Sequence, residues 1–314
     1  MSEQKLLDAL PPREVKVSDL ARQFNTTKDI VLDVAHRLER KGCVKVRKPF
    51  LREARVLKTS DRYVEATKVI AVMNLKGGVG KTVTSLNLAV ALADAGFKTL
   101  LVDMDPQANA TSALGVKAKT TVYSVLVGTR APSKAVHRTG VENLSIMPSE
   151  LALAGAEVEV VGVDAAYRMW EVLEWVKDDY KYVVIDCPPS VSMLSINALA
   201  ASNSVLIPVQ CGQFAMESLE KMMETVSVMR RINEDLHVEG ILPTLYDSHD
   251  KLSCEVLEKV RGKYGALMFN AAVPRDPAVS EAAKTGGILI RQMPDSEAAK
   301  SYVKLTKEVA SGGR

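Results

Sequence analysis

Cysteine and aromatic residues are scarce in this 314-residue chain. The four cysteines, Cys43, Cys187, Cys211 and Cys254, are far apart and form no C-x-x-C pair, so nothing indicates a disulfide framework. The chain also lacks a secretory leader pattern, and no apolar run approaches the roughly 20 residues that span a bilayer. We therefore expect a protein of the reducing cytoplasm.

A large overall charge is also lacking, because 41 basic and 38 acidic residues leave a formal net charge of +3. The excess is local. Residues 1–65 contain 15 Lys and Arg against 10 Asp and Glu, whereas the remainder contains 26 against 28. The positive charge therefore belongs to the N-terminal segment, and we expect two domains, residues 1–65 and residues 66–314.

The N-terminal segment has the pattern of two short helices joined by a polar turn. We expect Ser18 to cap the first helix, and we expect the second to begin at a Thr27 cap and to end at Gly42. The apolar positions of the first helix are Leu20, Ala21 and Phe24, and the second is expected to carry Ile30, Val31, Val34 and Leu38 on one face. The alternating residues Val44–Arg47 predict a strand after them.

This order of elements resembles winged-helix DNA-binding modules, which contain a helix-turn-helix. From Arg37 to Lys58 there are nine basic residues and two acidic ones, a balance that attracts phosphate backbones. A helical protein-docking domain with a solvated basic face is the alternative. Residues 52–66 have the composition of a connector.

The clearest motif is the stretch Val69–Thr84. A β-branched apolar run ends at Asn74, a glycine-rich turn follows, and apolar residues at helical spacing begin at Leu86. Glycine lets successive backbone N–H groups point inward, and the helix N-terminus adds unpaired donors. Strand, loop and helix in this order predict a phosphate-binding loop, with Lys81 on the β- and γ-phosphates of ATP and Thr82 on Mg²⁺.

Strands and helices alternate through the rest of the chain. We expect strands at residues 98–103, 143–148, 182–186, 203–210 and 238–246, and helices at residues 165–177, 214–231, 252–264 and from about 295 onward. This alternation predicts an α/β domain with a mostly parallel sheet covered by helices on both faces. Trp170 and Trp175 are expected to be packing residues and not a binding platform.

Two of the predicted strands end in acidic residues. Asp103 and Asp105 follow one strand, and Asp186 ends another. Open α/β sheets bind ligands at the carboxyl ends of parallel strands. Asp186 therefore suits the carboxylate that holds a water on Mg²⁺ or bonds the loop threonine. For Asp103 and Asp105, capping of the next turn is the alternative.

The segment Lys-Gly-Gly-Val-Gly-Lys-Thr at residues 76–82 resembles the deviant Walker A loop of the ParA/MinD family of ATPases, since Leu75 occupies the first glycine position of the usual motif. Asp103–Thr111 resembles the family's DxDPQGN element, and Asp186–Pro189 resembles its switch II. The resemblance covers about residues 68–309. It implies a ParA/Soj-type P-loop NTPase that hydrolyses ATP to ADP and phosphate.

The resemblance also implies roles for individual residues. Lys76 would cross a dimer interface to the partner subunit's nucleotide, and Asp105 would orient the attacking water. Thr82 and Asp186 would hold Mg²⁺. The implied nucleotide-binding residues are Lys76, Gly77, Gly78, Val79, Gly80, Lys81, Thr82, Val83, Leu245, Tyr246, Pro274 and Arg275, with the last four near the adenine.

The chain departs from the family pattern at several positions. Val83 replaces a family threonine and Ala108 a family glycine. Related partition ATPases bind DNA through arginines at places that here hold His249 and Ala278. Nonspecific affinity depends on the number of neutralised phosphates, so other basic residues could substitute, although lysines are also common on any solvated helix. The basic residues that could substitute for the family arginines are Lys251, Lys259, Arg261 and Lys263.

The leading function is an ATP-dependent DNA partition or positioning ATPase. ATP would bridge a homodimer, the dimer would bind DNA on the nucleoid, and slow hydrolysis stimulated by a ParB-like partner would release it. The alternatives are an ATP-regulated transcription regulator and a MinD-like membrane-cycling ATPase. The latter needs a bulky amphipathic C-terminal helix, and residues 302–314 are too polar for it, so no membrane partner is expected. Iron–sulfur relatives need paired thiolates, which the scattered cysteines do not supply.

Overall fold

The computed structural model describes residues 6, 9–10, 15–26, 28–40, 43–47, 55–58, 67–162 and 164–311. The chain divides into two compact units, residues 1–66 and residues 67–314. Each unit is described separately below. The functional assignment of the two predicted domains stays a prediction.

The N-terminal unit contains two helices and a small sheet. Its elements in chain order are β1 (Val15–Lys16), α1 (Val17–Gln23), α2 (Lys28–Arg40), β2 (Val44–Arg47) and β3 (Arg55–Lys58). Among the described residues, the three strands pair antiparallel in the order β1-β3-β2. The buried residues of both helices pack together with Val44 of β2 in one apolar cluster.

Three predictions for this unit are wrong. Helix α1 begins at Val17, so Ser18 lies inside its first turn and not at the cap. Ile30 is 43% exposed, because it lies at the margin of the buried stripe that is centred on Val31, Val34, Ala35 and Leu38. The expected connector contains β3, which pairs antiparallel with the preceding strand β2. The predicted helix limits Thr27 and Gly42, and Lys48 and Arg52 of the basic stretch from Arg37 to Lys58, lie outside the described residues. The helix-turn-helix assignment itself stays a prediction.

The second unit is built on one sheet, which has seven strands in the part of the chain described. The strands are β4 (Lys68–Val72), β5 (Thr99–Asp103), β6 (His137–Arg138), β7 (Leu144–Met147), β8 (Tyr182–Asp186), β9 (Ser204–Gln210) and β10 (His237–Thr244). Their order is β10-β9-β4-β8-β5-β7-β6, and all neighbours are parallel except β6 and β7. The predicted mostly parallel sheet is confirmed.

Helices cover both faces of this sheet. They are α3 (Lys81–Asp94), α4 (Asn109–Ala113), α5 (Val122–Leu126), α6 (Leu153–Glu159), α7 (Arg168–Glu174), α8 (Met193–Ala200), α9 (Ala215–Met229), α10 (Lys251–Tyr264), α11 (Pro277–Lys284), α12 (Leu289–Gln292) and α13 (Glu297–Ala310). Successive strand residues point to opposite faces. Val69, Ala71 and Met73 therefore join one apolar cluster, while Ile70 and Val72 join the other.

The strand order brings three chain segments to one place. Strand β4 lies between β8 and β9, and β8 lies between β4 and β5. In this register Val72 and Asp103 both lie opposite Asp186. The loop that follows β4 and the acidic ends of β5 and β8 therefore meet at the carboxyl edge of the sheet.

Two helices of this unit bear on the predictions for packing. The apolar side of α13 is buried against α3, where the fully buried Tyr302 hydroxyl lies 3.3 Å from Thr84 Oγ1. In α7, Met169, Val172 and Leu173 are buried instead of the tryptophans. Trp170 is 47% exposed and Trp175 is 73% exposed, so their predicted role in packing is wrong.

Among the described helices, none has the length and apolar character to cross a membrane.

Candidate nucleotide-binding site

The glycine-rich loop connects β4 to α3. Gly78 and Gly80 have φ angles of +73° and +87°, which glycine adopts without strain. A Cβ atom on Gly77 or Gly78 would meet nothing within 4 Å, so there is space beside the loop. Gly80 is the N-cap of α3, and the first turn of a helix offers unpaired N–H donors. The loop therefore has the geometry of an anion-binding site.

Lys81 is the first residue of α3, and its side chain reaches back to the loop. Its side chain is buried, and Nζ donates a hydrogen bond to the carbonyl oxygen of Lys76 at 2.9 Å. Burial lowers the pKa of Lys81, and the negative charges of Asp186 and Asp105 oppose that effect. The structure thus brings three predicted site residues together. A bound phosphate would place a further negative charge beside the desolvated Lys81 ammonium group and offset the cost of its burial.

Asp186 is fully buried at the end of β8. Its Oδ1 accepts a hydrogen bond from Ser85 Oγ at 2.9 Å, while Oδ2 has no hydrogen-bond partner among the described residues. Burial raises the pKa of Asp186, and the neighbouring Asp103 raises it further. Thr82 lies close enough to favour the charged carboxylate. A bound cation would offset the burial of this charge.

The donor set around Asp186 fits Mg²⁺, which prefers oxygen ligands. Within the described ranges, no group of three or more His, Cys, Asp or Glu side chains could hold a metal ion. Magnesium commonly uses one or two protein oxygens together with substrate phosphates and water. Thr82 and Asp186, placed beside the loop, are of this kind.

Asp105 follows β5 by two residues and is nearly buried. Its Oδ1 accepts a hydrogen bond from the backbone N–H of Gln107 at 2.9 Å, and its carbonyl oxygen accepts one from Ser149 Oγ at 2.7 Å. The neighbouring Asp103 carboxylate accepts from the backbone N–H and the hydroxyl of Thr111 at 2.8 and 2.7 Å. Capping therefore explains Asp103, whereas the negative charge of Asp105 also raises the pKa of Lys81.

Lys76 contacts residues of its own subunit. Its Nζ donates a hydrogen bond to Gln210 Oε1 at 3.2 Å and lies 5.7 Å from the centroid of the Phe214 ring. The predicted crossing to a second subunit is not tested by this arrangement.

The two segments predicted to lie near the adenine are neighbours. Tyr246 pairs with Pro274, and the Arg275 N–H donates to the Tyr246 carbonyl oxygen at 2.7 Å. Leu245, just before, has a φ angle of +51°. Strand β10 also touches the loop, because Thr244 Oγ1 donates to the Val79 carbonyl oxygen at 2.9 Å. Val83 is partly buried and packs against the apolar cluster beneath α3.

Sequence reasoning missed several residues that hold this site in place. Asn74 is fully buried, and its Oδ1 accepts hydrogen bonds from the Lys76 N–H and from Ser218 Oγ. Ser85, the fifth residue of α3, supports Asp186. Asn74 could have been found from the sequence, because it is a polar residue at the end of a buried strand. Ser85 could have been found because it lies four residues, about one helical turn, after Lys81. Ser218 had no such signal.

A glycine-rich loop at the carboxyl edge of a parallel sheet, with a buried lysine and two carboxylates beside it, defines a P-loop nucleoside triphosphatase. The family description "AAA domain" matches residues 67–238. The chain is 44% identical over 251 residues to the sporulation initiation inhibitor protein Soj of Bacillus subtilis, and the match covers 78% of this chain and 99% of that protein. It is 41% identical over 247 residues to the chromosome partitioning protein ParA of Myxococcus xanthus, covering 77% and 87%.

A solved structure is also similar. It is the cobyrinic acid a,c-diamide synthase of Mycobacterium smegmatis with a bound ATP analog and magnesium, which has 34% identity and a TM-score of 0.69. The match covers 79% of this chain and 98% of the synthase chain.

The chain therefore belongs to the Soj/ParA family of chromosome-partitioning ATPases. The predicted family, the P-loop fold and the ATPase class are confirmed. ATP and Mg²⁺ agree with the ligands of the similar synthase structure. The family match begins at residue 67 and does not include the N-terminal unit.

Proposed function

We propose that this chain is an ATP-switched DNA partition ATPase. ATP binding would bring two copies together as a sandwich dimer, the dimer would bind DNA, and slow hydrolysis stimulated by a ParB-like partner would release it. The observation that carries the proposal is the convergence of Lys81, Asp105 and Asp186 on a loop that also contains Lys76. Localisation in the cytoplasm on the nucleoid is part of the proposal.

Each site residue has a role in this proposal. The backbone of residues 77–80 and Val83 surrounds the phosphates, and Lys81 pairs with them. Thr82 and Asp186 hold Mg²⁺, which neutralises phosphate charge when bound. Asp105 orients the attacking water. Leu245, Tyr246, Pro274 and Arg275 line the adenine, which is supported by their pairing next to the loop.

Three alanine variants test these roles separately. Lys81→Ala should remove most ATP affinity, because a charge-assisted phosphate contact is lost. Lys76→Ala should bind ATP but remain a monomer, and Asp105→Ala should accumulate as an ATP dimer that does not turn over. Calorimetry, size-exclusion chromatography and phosphate release measure the three results. Unchanged ATP binding in Lys81→Ala, or a normal ATP dimer in Lys76→Ala, would contradict the assignment.

DNA binding has two candidate surfaces, one on α10 of the ATPase unit and one on the basic N-terminal unit. In the ATPase unit, Lys251, Lys259, Arg261 and Lys263 are exposed on α10. Arg261 pairs with Glu258 and Lys263 pairs with Glu220, both at 2.6 Å, and such exposed pairs contribute little, so phosphates can replace these partners.

The α10 surface and the N-terminal surface are distinguished by the affinity of the protein for DNA, measured without nucleotide, with ADP and with ATP. Alteration of a phosphate-contacting lysine should reduce the salt dependence by about one unit of slope. Lys259→Ala should do so with ATP if α10 binds DNA. Affinity that is the same in all three nucleotide states would contradict an ATP-switched DNA interaction.

An ATP-regulated transcription regulator is the second candidate. It is favoured by the helices and the three-stranded antiparallel sheet of the N-terminal unit, in a segment with five excess positive charges. Selection from random duplexes tests it. If α2 reads bases, Lys28→Ala, near the start of α2, should alter sequence preference, whereas the partition proposal alone requires no sequence preference.

A further inference from the structure

The side chain of Lys76 is held by the segment that joins β9 to α9. Its Nζ donates a hydrogen bond at 3.2 Å to Oε1 of Gln210, which is the last residue of β9. The same Nζ lies 5.7 Å from the ring centroid of Phe214, which is the N-cap of α9. An ammonium group at this distance from an aromatic ring is attracted to the electrons of the ring. Two side chains of one segment therefore hold the Lys76 amine inside its own subunit.

The main chain of Lys76 is bonded as well. Its N–H donates at 2.9 Å to Asn74 Oδ1, which also accepts from Oγ of Ser218, the fourth residue of α9. Its carbonyl oxygen accepts from Lys81 Nζ at 2.9 Å. A phosphate bound in the loop would compete with that carbonyl oxygen for Lys81, because a charged acceptor bonds an ammonium group more strongly than a neutral one. Nucleotide binding would therefore remove one of the contacts that fix residue 76.

The two groups that hold the Lys76 amine are uncharged. The amide oxygen of Gln210 and the ring of Phe214 attract an ammonium ion without neutralising it, and Phe214 is 55% exposed. Hydrogen bonds between two charged groups are roughly twice as strong as those between neutral groups. Contacts of this strength hold Lys76 while no phosphate is within its reach, and the phosphates of a second subunit can displace them.

We propose that Gln210 and Phe214 form a latch, which keeps Lys76 in its own subunit and sets the protein concentration at which ATP dimers form. The latch rests on the proposed function, in which Lys76 reaches the nucleotide of a second copy. For that step the Lys76 amine has to leave Gln210 and Phe214, so the free energy of both contacts opposes dimer formation in each subunit. Both are positioning residues, because they act through Lys76 and not on the nucleotide.

Amine acetylation tests the latch without nucleotide or DNA. The reagent reacts with the free lone pair of an amine, so contacts that hold the ammonium form slow the reaction. With N-hydroxysuccinimide acetate we expect Lys76 to react about fivefold faster in Gln210→Ala than in the wild type, and about fivefold slower in Gln210→Glu, whose carboxylate would pair with Lys76. Peptide mass spectrometry of the labelled full-length protein gives the rates. Lys259, which is exposed on α10, is the internal reference.

Dimer formation measures the consequence of the latch. Analytical ultracentrifugation with a nonhydrolysable ATP analogue and Mg²⁺ gives the dimer dissociation constant of each variant. One hydrogen bond corresponds to about fivefold per subunit, so Gln210→Ala should lower this constant by roughly 25-fold. Phe214→Leu should lower it by about fivefold or more, and Gln210→Glu should raise it by about tenfold or more. The matched control is Gln213→Ala, which changes an exposed glutamine of the same segment and should stay within about twofold of the wild type.

Opposite shifts in Gln210→Ala and Gln210→Glu distinguish a latch from a merely structural role, because damage to the fold or to the interface would weaken dimer formation in both variants. Wild-type acetylation rates for Lys76 in both variants would overturn the latch. Weaker dimer formation in Gln210→Ala, or an equal shift in Gln213→Ala, would also overturn it. A wild-type protein that stays monomeric with the ATP analogue would instead contradict the proposed function, and the acetylation rates would still decide whether Gln210 holds Lys76.

Discussion

Replacement of Asn74 by alanine should loosen the phosphate loop from the sheet and from α9. Asn74 is fully buried at the end of β4. Its Nδ2 donates to the Pro208 carbonyl oxygen at 2.7 Å, and its Oδ1 accepts from the Lys76 N–H at 2.9 Å and from Ser218 Oγ at 2.6 Å. Alanine would leave three partners without these bonds.

The expected loss follows from the number of bonds. Each contributes about 1 kcal/mol net, so Asn74→Ala should lower the free energy of unfolding by about 3 kcal/mol. In a unit of this size 1 kcal/mol corresponds to about 2–4 °C in Tm, which gives a fall of roughly 6–12 °C. Ser218→Ala removes one of the three bonds and should lower Tm by about 2–4 °C.

Differential scanning calorimetry of the full-length chain measures these shifts. The transition of the ATPase unit is identified as the one that ATP and Mg²⁺ raise, because a ligand of the native state stabilises it. The double variant Asn74→Ala and Ser218→Ala should cost about 1 kcal/mol less than the sum of the single changes, since both remove the same bond. A fall of less than about 2 °C in Asn74→Ala, or strict additivity, would refute the reasoning.

Three further predictions concern backbone strain, close packing and burial. Ala108 has a φ angle of +53°, so Ala108→Gly should raise the free energy of unfolding by about 0.5–1 kcal/mol in denaturant titrations. A Cβ on Gly240 would lie 2.4 Å from the Phe269 ring, so Gly240→Ala should cost about 1–3 kcal/mol, whereas Gly262→Ala in α10 meets nothing and should stabilise by roughly 1 kcal/mol. Burial raises the pKa of Tyr302 from 10.0 to about 12, so the wild-type fold should lose about 2 kcal/mol between pH 10 and 12, a loss that Tyr302→Phe should lack.

The sign of the last prediction follows from proton binding. Above pH 10 the unfolded chain releases the tyrosine proton while the folded chain retains it, so stability falls as pH rises toward 12. Parallel pH profiles for the wild type and Tyr302→Phe would contradict the burial argument. A destabilised Ala108→Gly, or equal effects at Gly240 and Gly262, would contradict the other two.

The sequence alone determined the elements whose pattern is local. The apolar run, glycines and lysine of residues 69–82 predicted strand, loop and helix, and the strand ending in Asp186 was equally clear. These signals lie within a few residues of one another, so backbone preference and hydrophobic spacing suffice to read them. The carboxyl edge as the place of the site also followed from the alternation of strands and helices.

Only the tertiary structure decided which distant residues support the site and which tryptophans remain exposed. Asn74 binds Pro208 and Ser218, which are 134 and 144 residues away in sequence. No local pattern encodes those pairings, because they depend on β9 lying beside β4. Likewise, helical spacing in the segment that forms α7 was compatible with several inward faces, and packing against α5 and α8 buried Met169, Val172 and Leu173, which left Trp170 and Trp175 on the outside.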